Sequence, residues 1–432
     1  MLIEADHLHI PDALEDTRIA LAKGTKTFFE PAFEFDDVLV RVDILDLLDG
    51  GFWHLIEVKS TTRLKDEHIH DVAVQAYVLR GTEIEVGKTS LMHLNKECTY
   101  PDLSNLFTVE DITEQVNVLM PTMATRVEDF RQVVQLQEAP EVQIGPHCGS
   151  PYDCPFRDHC WEWVPEHSIF NIPRLAWQKK NKLLEEGVIR AAELPDDYRL
   201  SGPQARHMES LRKGEPVVDW EGIRKELAQL QYPLHFLDFE TDAPAVPWIE
   251  GMHPYEQFPF QFSCHVLHED RTLNHYEYLH EDRTDPREPL TEALLKAIGE
   301  TGGVVVYNAS FEKGVLLKLA KTFPGRSNRI EAIANRLWDQ LVIFRRHYKD
   351  YRFSGSNSLK NVLPVLVPSM DYTSLAVSEG TDAQVAWSMM IRLSGGEEKS
   401  KLIDDLKQYC GQDTLAMVEI HKVLSEGASH DQ

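Results

Sequence analysis

Apolar and polar residues alternate with a period of two over residues 38–48 and again over 52–60, the spacing of strands with one buried face. Asp49-Gly50-Gly51 stands between them, and glycine accepts the positive φ angles of a tight reversal, so the pair predicts a hairpin. Over residues 66–79 the period lengthens, and Ile69, Val72, Ala73, Ala76 and Tyr77 fall on one helical stripe. Residues 166–228 read as short helices broken by turns such as Leu194-Pro195-Asp196-Asp197 and Ser201-Gly202-Pro203. A buried strand follows over 234–239, then strands over 258–268 and 273–280, a helix, and a third apolar run over 303–307. That run ends where a helix opens at Asn308-Ala309-Ser310-Phe311-Glu312. A late helical segment carries Tyr409-Cys410-Gly411-Gln412-Asp413, and residues 426–432 read as a polar tail. The pattern predicts an α/β (α+β) chain in three parts: 1–165, a helical linker over 166–228, and 229–432.

Composition narrows the class. Hydrophobic residues at 42% and charged residues at 26% are an ordinary globular balance, which excludes disorder and collagen-like fibre. No run of 18 apolar residues exists, and the N-terminus lacks the basic and apolar regions of a signal peptide, so a membrane is not expected. Six cysteines are too sparse for a secreted disulfide scaffold, which predicts the cytoplasm. The net charge of −26 argues against a protein that coats duplex DNA. It leaves room for acidic sites that hold divalent metals, because a bound cation reverses the local sign. The linker departs from this balance: residues 167–213 hold nine Lys/Arg against six Asp/Glu. Its two readings are a solvated linker and a nucleic-acid contact module.

On the second strand of the hairpin, Glu57 and Lys59 are two apart and share a face, while Val58 packs on the other. Asp43 lies on the partner strand, so two carboxylates and an ammonium converge. Asp43 and Glu57 can supply hard oxygen ligands to Mg²⁺ or Mn²⁺, and Lys59 can orient water and stabilise charge on a phosphate. Gln75, on the following helix, can point back at them. Asp43, Glu57, Lys59, Gln75 and Tyr77 resemble, in order and spacing, the RecB-type branch of the PD-(D/E)XK nucleases. That resemblance implies a catalytic centre built from these residues.

Cys148, Cys154 and Cys160 are spaced C-x5-C-x5-C, and such clustering in a reducing compartment predicts metal ligation. RecB-type nucleases with an iron–sulfur clasp are similar, with three cysteines after the core and a fourth before it; the resemblance implies a [4Fe–4S] cluster. Here no cysteine precedes Asp43, so a shortened N-terminus and an incomplete, labile cluster are expected. Zn²⁺ held by the three cysteines and one of His147, His159 or His167 is the alternative. Cys264 is expected in the core beside Phe258, Phe260 and Phe262; Cys98 and Cys410 suggest no partner.

Asp238 and Glu240 project from one face at the end of the 234–239 strand, and Tyr409 and Asp413 share a helix face. With Glu312 after a buried strand, these positions resemble the DnaQ-like exonucleases of the RNase H fold, in the subgroup that ends in Tyr-x3-Asp. The resemblance implies that Asp238, Glu240, Glu312 and Asp413 hold two divalent metals and that Tyr409 positions the attacking water. Glu312 stands where that family has Asp. Asp339 has two readings, an extra ligand and, ahead of it, a structural residue, and Ser358-Leu359-Lys360-Asn361-Val362 resembles an element that precedes the last motif.

Over residues 30–424 the order of parts is similar to an uncharacterised bacterial family that joins a RecB-like PD-(D/E)XK domain, a cysteine cluster and an RNase H-like mixed-sheet exonuclease domain. The expected function is metal-dependent hydrolysis of single-stranded nucleic acid, DNA ahead of RNA, with the C-terminal centre acting 3′→5′. The alternative is a catalytically weakened nucleic-acid-binding accessory protein in repair or phage defence.

Overall fold

The computed structural model describes residues 1–372, 375–377 and 380–430. They form a mixed α/β structure of two compact units, Met1–Asp153 with Ala243–Glu256, and Cys154–Asp242 with Gln257–Gln432.

The first unit opens with α1 (Ile10–Ala22) and four short strands: β1 (Thr27–Phe29), β2 (Ala32–Phe35), β3 (Val38–Arg41) and β4 (Ile44–Leu47). Then come β5 (Trp53–Lys59), α2 (Asp66–Gly81), β6 (Val86–Leu94), β7 (Phe107–Asp111) and α3 (Thr113–Val134). The sheet runs β1-β4-β5-β6-β7, and β2 pairs only with β3 in a separate ribbon. β4 and β5 are antiparallel through the expected turn, where Gly50 and Gly51 take φ of 106° and 88°. β5 and β6 are parallel, with α2 in the connection.

The single strand expected over 38–48 is two strands. Asp36 and Asp37 both take positive φ and turn β2 back into β3, which therefore pairs locally, while β4 joins the main sheet. Asp43 sits in the break between them, beside the register position opposite Glu57. One face of α2 supplies Val72, Ala73, Ala76 and Leu79 to a core shared with Leu45, Leu55, Leu91, Val116 and Met123. The segment Ala243–Glu256 adds Ala245 to a small cluster with Leu94, Cys98 and Leu106, and Tyr255 donates its hydroxyl to the Ser60 carbonyl.

In the second unit α4 (Arg157–Trp161), α5 (Trp177–Glu185), α6 (Gly202–Lys213), β8 (Val217–Val218) and α7 (Trp220–Leu227) precede the main sheet. The region expected to be a linker has its own small core of Ile169, Ile172, Leu175, Leu183, Leu194 and Met208. Then follow β9 (Leu234–Asp242), β10 (Phe258–Leu267), β11 (Leu273–Leu279), α8 (Arg287–Ala297), β12 (Gly303–Val306), α9 (Ala309–Thr322) and α10 (Ser327–Ala334). The chain ends with β13 (Leu337–Asp339), α11 (Leu341–Arg346), β14 (Tyr348–Lys349), α12 (Leu359–Leu366), α13 (Gly380–Met390) and α14 (Glu397–His430). Of the residues read as a polar tail, 426–430 instead continue α14, where Gly427 lets the Trp220 ring come so close that a Cβ would lie 2.1 Å from it; 431 and 432 lie outside the described residues.

This sheet is also mixed, in the order β11-β10-β9-β12-β13, antiparallel on the first side of β9 and parallel on the other. Leu237, Phe239, Val304 and Val306 face α8, α9 and α10, whereas Phe236 and Val305 face Met417 and Val418 of α14. Phe262 and Cys264 join the first of these cores, but a bulge between Pro259 and Gln261 changes the pattern. Phe260 stacks on Trp387 at 4.4 Å, and Phe258 packs edge-on against the same ring. Among the described residues, no helix is long and apolar enough to cross a membrane.

Candidate functional site

The period-two alternation of β9 puts Asp238 and Glu240 on the face that Phe236 presents to α14. α14 carries Tyr409, Cys410 and Asp413 to that face. Because β9 and β12 are parallel, with Val305 opposite Phe236, the chain leaving β12 opens α9 near the C-terminal end of β9. That edge is where open α/β sheets present their sites. Asn308 makes the turn with φ 83°, a left-handed conformation that Asn tolerates, and its N–H donates to Asp339 Oδ1 at 2.9 Å. Glu312 follows one helical turn later, 2% exposed, with Oε2 lacking a hydrogen-bond partner.

The four carboxylates are electrostatically joined. Burial, then Asp413, Glu240 and Glu312, push Asp238 well above the ordinary carboxylate range. Burial and Asp413 raise Glu240 to about 8, with Lys360 partly offsetting them. Burial raises Asp413 to about 6 against the Tyr372 hydrogen bond and Lys360. Burial raises Glu312 to about 8, and Asp339 adds to the shift. Desolvation and like charge both disfavour the ionised forms, and a bound cation is what reverses both. The donor set of hard oxygens, with one buried oxygen unpartnered, fits Mg²⁺ or Mn²⁺.

Ligand atoms of Asp238, Glu240 and Cys410 lie within 4.8 Å of one another. Burial holds the Cys410 thiol protonated, and Sγ donates weakly to Asp238 Oδ2 at 3.7 Å, so it acts as a hydrogen-bond partner and not a thiolate ligand. The Tyr372 hydroxyl donates to Asp413 Oδ1 at 2.5 Å. Lys360 Nζ lies 5.7 Å from the Tyr372 ring centroid and 5.8 Å from that of Tyr409. Burial and the surrounding acids keep the Tyr409 phenol protonated and able to donate. The sequence suggested no partner for Cys410, although it lies inside the Tyr-x3-Asp motif, and it carries no signal for Tyr372. Asp339 takes a structural place: Oδ1 accepts the N–H of Asn308 and of Leu341.

In the first unit Glu57 is 7% exposed and both of its oxygens are engaged, by Lys59 Nζ at 2.8 Å and by Gln75 Nε2 at 2.7 Å. Asp43 accepts the Val58 N–H at 2.6 Å; burial raises its pKa to about 6 despite that bond, with Glu57 and Glu30 adding to the shift. Lys59 also pairs with Asp71 at 2.9 Å. Burial pulls its ammonium down, but hydrogen bonds to Glu57 and Asp71 outweigh it and hold the lysine charged. Asp43, Glu57, Lys59 and Gln75 are thus brought together. Tyr77 is not: two residues on from Gln75 it points from another side of α2, and its hydroxyl donates to Asp36 at 2.8 Å. Asp71 and Glu30 were not singled out in the sequence, although Asp71 lies four residues before Gln75, on the same side of α2.

All six cysteines are free thiols, and the unit boundary falls between Cys148 and Cys154. Cys148 is buried and its sulfur accepts the Gly145 N–H at 3.5 Å; Cys154 and Cys160 are half-buried. A four-iron cluster takes four ligands. Cys98 is buried with Sγ donating to the Asp102 carbonyl, Cys264 is in the core and Cys410 is at Asp238.

Residues 235–358 match a family described as a domain of unknown function, DUF2779. The matched stretch carries Asp238, Glu240 and Glu312 but stops before Tyr409 and Asp413. The chain is also similar to the uncharacterized protein MG366 homolog of Mycoplasma pneumoniae, 28% identical over 214 residues, 44% of this chain and 32% of that protein. It is 26% identical over 205 residues to the uncharacterized protein MG366 of Mycoplasma genitalium, 43% of this chain and 31% of that protein. The match thus spans about a third of the length of these relatives. No solved structure matches.

Proposed function

We propose that the protein is a divalent-metal-dependent nuclease whose principal centre is the carboxylate cluster of the second unit. The observation that carries this reading is the convergence of Asp238, Glu240, Glu312 and Asp413 from β9, α9 and α14 into a buried site where the other three raise Asp238 and Asp413 raises Glu240. These four carboxylates would hold the metal. When bound, Mg²⁺ or Mn²⁺ would acidify water and neutralise charge building on a phosphate.

The chain's own groups have definable parts in phosphodiester hydrolysis. Tyr409, protonated and under the field of Lys360, donates a hydrogen bond that orients the attacking water. Tyr372 fixes the rotamer of Asp413 through its hydroxyl, and the Cys410 thiol does the same more weakly for Asp238. The sheet order and the four acids support an RNase H-like exonuclease unit, and 3′→5′ polarity on single-stranded DNA is proposed from the resemblance to DnaQ-like enzymes. In the first unit, Asp43, Glu57, Lys59 and Gln75 support a second, RecB-like hydrolytic centre.

The test uses single-stranded DNA and RNA labelled at either end, with Mg²⁺, with Mn²⁺ and with EDTA. Metal-dependent shortening from the 3′ end is expected. Protein that binds the strands but leaves them intact in both metals is the accessory-protein outcome and would overturn the nuclease reading.

A further inference from the structure

A cleft of about 720 Å³ opens in the second unit beside the carboxylate cluster. Its wall includes Asn308, one helical turn before Glu312, and Ser358 and Leu359, which lead into Lys360. Arg174, Arg345 and Lys349 line it. These cations come from separate segments: the small core before the sheet, α11 and β14.

The cluster is unusual for a chain of net charge −26. Among the described residues, Arg174 and Arg206 form no ion pair, and Arg206 Nε is buried without a hydrogen-bond partner. Lys349 is 6% exposed, and its ammonium donates to the Phe344 carbonyl. Burial, then Arg206, Arg174 and Arg345, push it down to about 8. The acids nearby are already used. Asp339, 3.9 Å from Arg345, accepts two backbone N–H groups, and Asp350 is gripped by Arg352 at 2.6 Å. Arg174 is held at φ 52°, a conformation that a non-glycine residue adopts only when its surroundings impose it. Like charges crowded at reduced solvation repel one another unless an anion joins them.

We infer that this cleft binds the phosphate backbone of a single-stranded nucleic acid, with Arg174, Arg345 and Lys349 on successive phosphates next to the carboxylate cluster. The inference rests on the nuclease reading and names the strand-binding surface which that reading requires. A cleft of about 720 Å³ is larger than one phosphate needs and leaves room for a strand. Pro203 and Leu359 supply apolar wall for sugars and bases.

The test measures fluorescence anisotropy of a labelled single-stranded 12-mer, DNA or RNA, with the full chain in EDTA at several salt concentrations. Wild-type protein should bind with a negative log–log salt slope. Arg174→Ala combined with Arg345→Ala should weaken binding about tenfold or more and flatten the slope by about 0.7 for each phosphate no longer neutralised. Arg174→Lys should retain most of the affinity. Lys182→Glu, on the exposed side of α5, should bind like wild type. If the double variant does not melt cooperatively, Arg174→Glu alone carries the test, with the same loss expected.

A folded cleft variant that binds and degrades strands like wild type would overturn the cleft and leave the nuclease reading standing. Charge-dependent strand binding without degradation in any metal would do the reverse. Inorganic phosphate or a mononucleotide competing as well as the unlabelled strand would show a small-anion pocket, and the inference would fall.

Discussion

Glu57 of the first unit has an ammonium at 2.8 Å and an amide at 2.7 Å, so most of its charge is answered by the protein itself. Beside the acids of the second unit stands the Lys360 ammonium, placed over two tyrosine rings and only partly offsetting the shifts of Glu240 and Asp413. Glu312 leaves an oxygen wholly unpartnered. Two acidic centres of similar residue type therefore place different demands on solution. The first can fold without a cation, because removing its lysine would create the imbalance. The second carries repulsion that an added cation relieves, so metal should stabilise the second unit more than the first.

The largest expected effect is on catalysis at the second centre. Asp238→Ala should reduce 3′→5′ degradation by about 10⁴-fold or more, the size found when a charged member of a catalytic set is removed. Wild-type rates from Asp238→Ala combined with Lys59→Ala would sink the two-centre scheme. Should Asp238→Ala alone keep a residual activity that Lys59→Ala abolishes, the first centre is catalytic too.

Next in size is Tyr409→Phe, which should slow turnover by roughly 10²–10⁴-fold, the range for a positioned acid–base group. Metal affinity by titration should stay within error of wild type. Loss of metal binding would make Tyr409 part of the cation site and not a partner of water.

The two centres should part most clearly in melting against pH. Glu240 and Glu312 stand at about 8 in the folded chain against an ordinary 4.5, so folding favours their protonated forms. The stability they contribute is full below about pH 4.5 and lost as the pH climbs through 8. Metal-free protein should therefore melt lower at pH 8.5 than at pH 6 through these groups. Mn²⁺ at a hundredfold excess over Kd should restore about 5–10 °C, more at the higher pH. An equal metal effect at both pH values, or one that survives Glu240→Gln with Glu312→Gln unchanged, would contradict this account.

Smaller effects belong to the first unit. Gln75→Ala leaves Glu57 Oε2 without its buried donor and should cost about 1–3 kcal/mol in denaturant unfolding. Activity at the second centre should be untouched. Smallest of all is Tyr77→Phe: its hydroxyl bonds Asp36, away from Glu57, so nuclease rates should not change measurably. A large loss with Tyr77→Phe would restore this residue to the first centre.

The hairpin turn at Gly50-Gly51, the shared face of Asp238 and Glu240, and the single helix holding Tyr409 and Asp413 were all legible in the sequence. Each depends on the backbone period within a few residues: two for a strand, 3.6 for a helix, positive φ for a turn. The same local rule read residues 38–48 as one strand, because alternation does not say which neighbour a strand will pair with. Pairing β3 to β2 and β4 to β5 breaks it at Asp43. The middle residues 166–228 looked like a linker because their apolar positions are spread among short turns, and only packing gathers them into a core.

By itself the sequence determined the residue types of both centres and the local geometry of each motif, since bonded neighbours and backbone periodicity decide those. Tertiary structure alone decided the partners. Tyr372 reaches Asp413 across 41 residues, Gln75 reaches Glu57 across 18, and residues 243–256 join the first compact unit although their flanking strands belong to the second. Arg174, Arg345 and Lys349 line one cleft although the first lies far from the others in the chain. Such meetings depend on sheet order and on which helix covers which face, a choice made by the burial of the whole apolar surface and not by any segment in isolation.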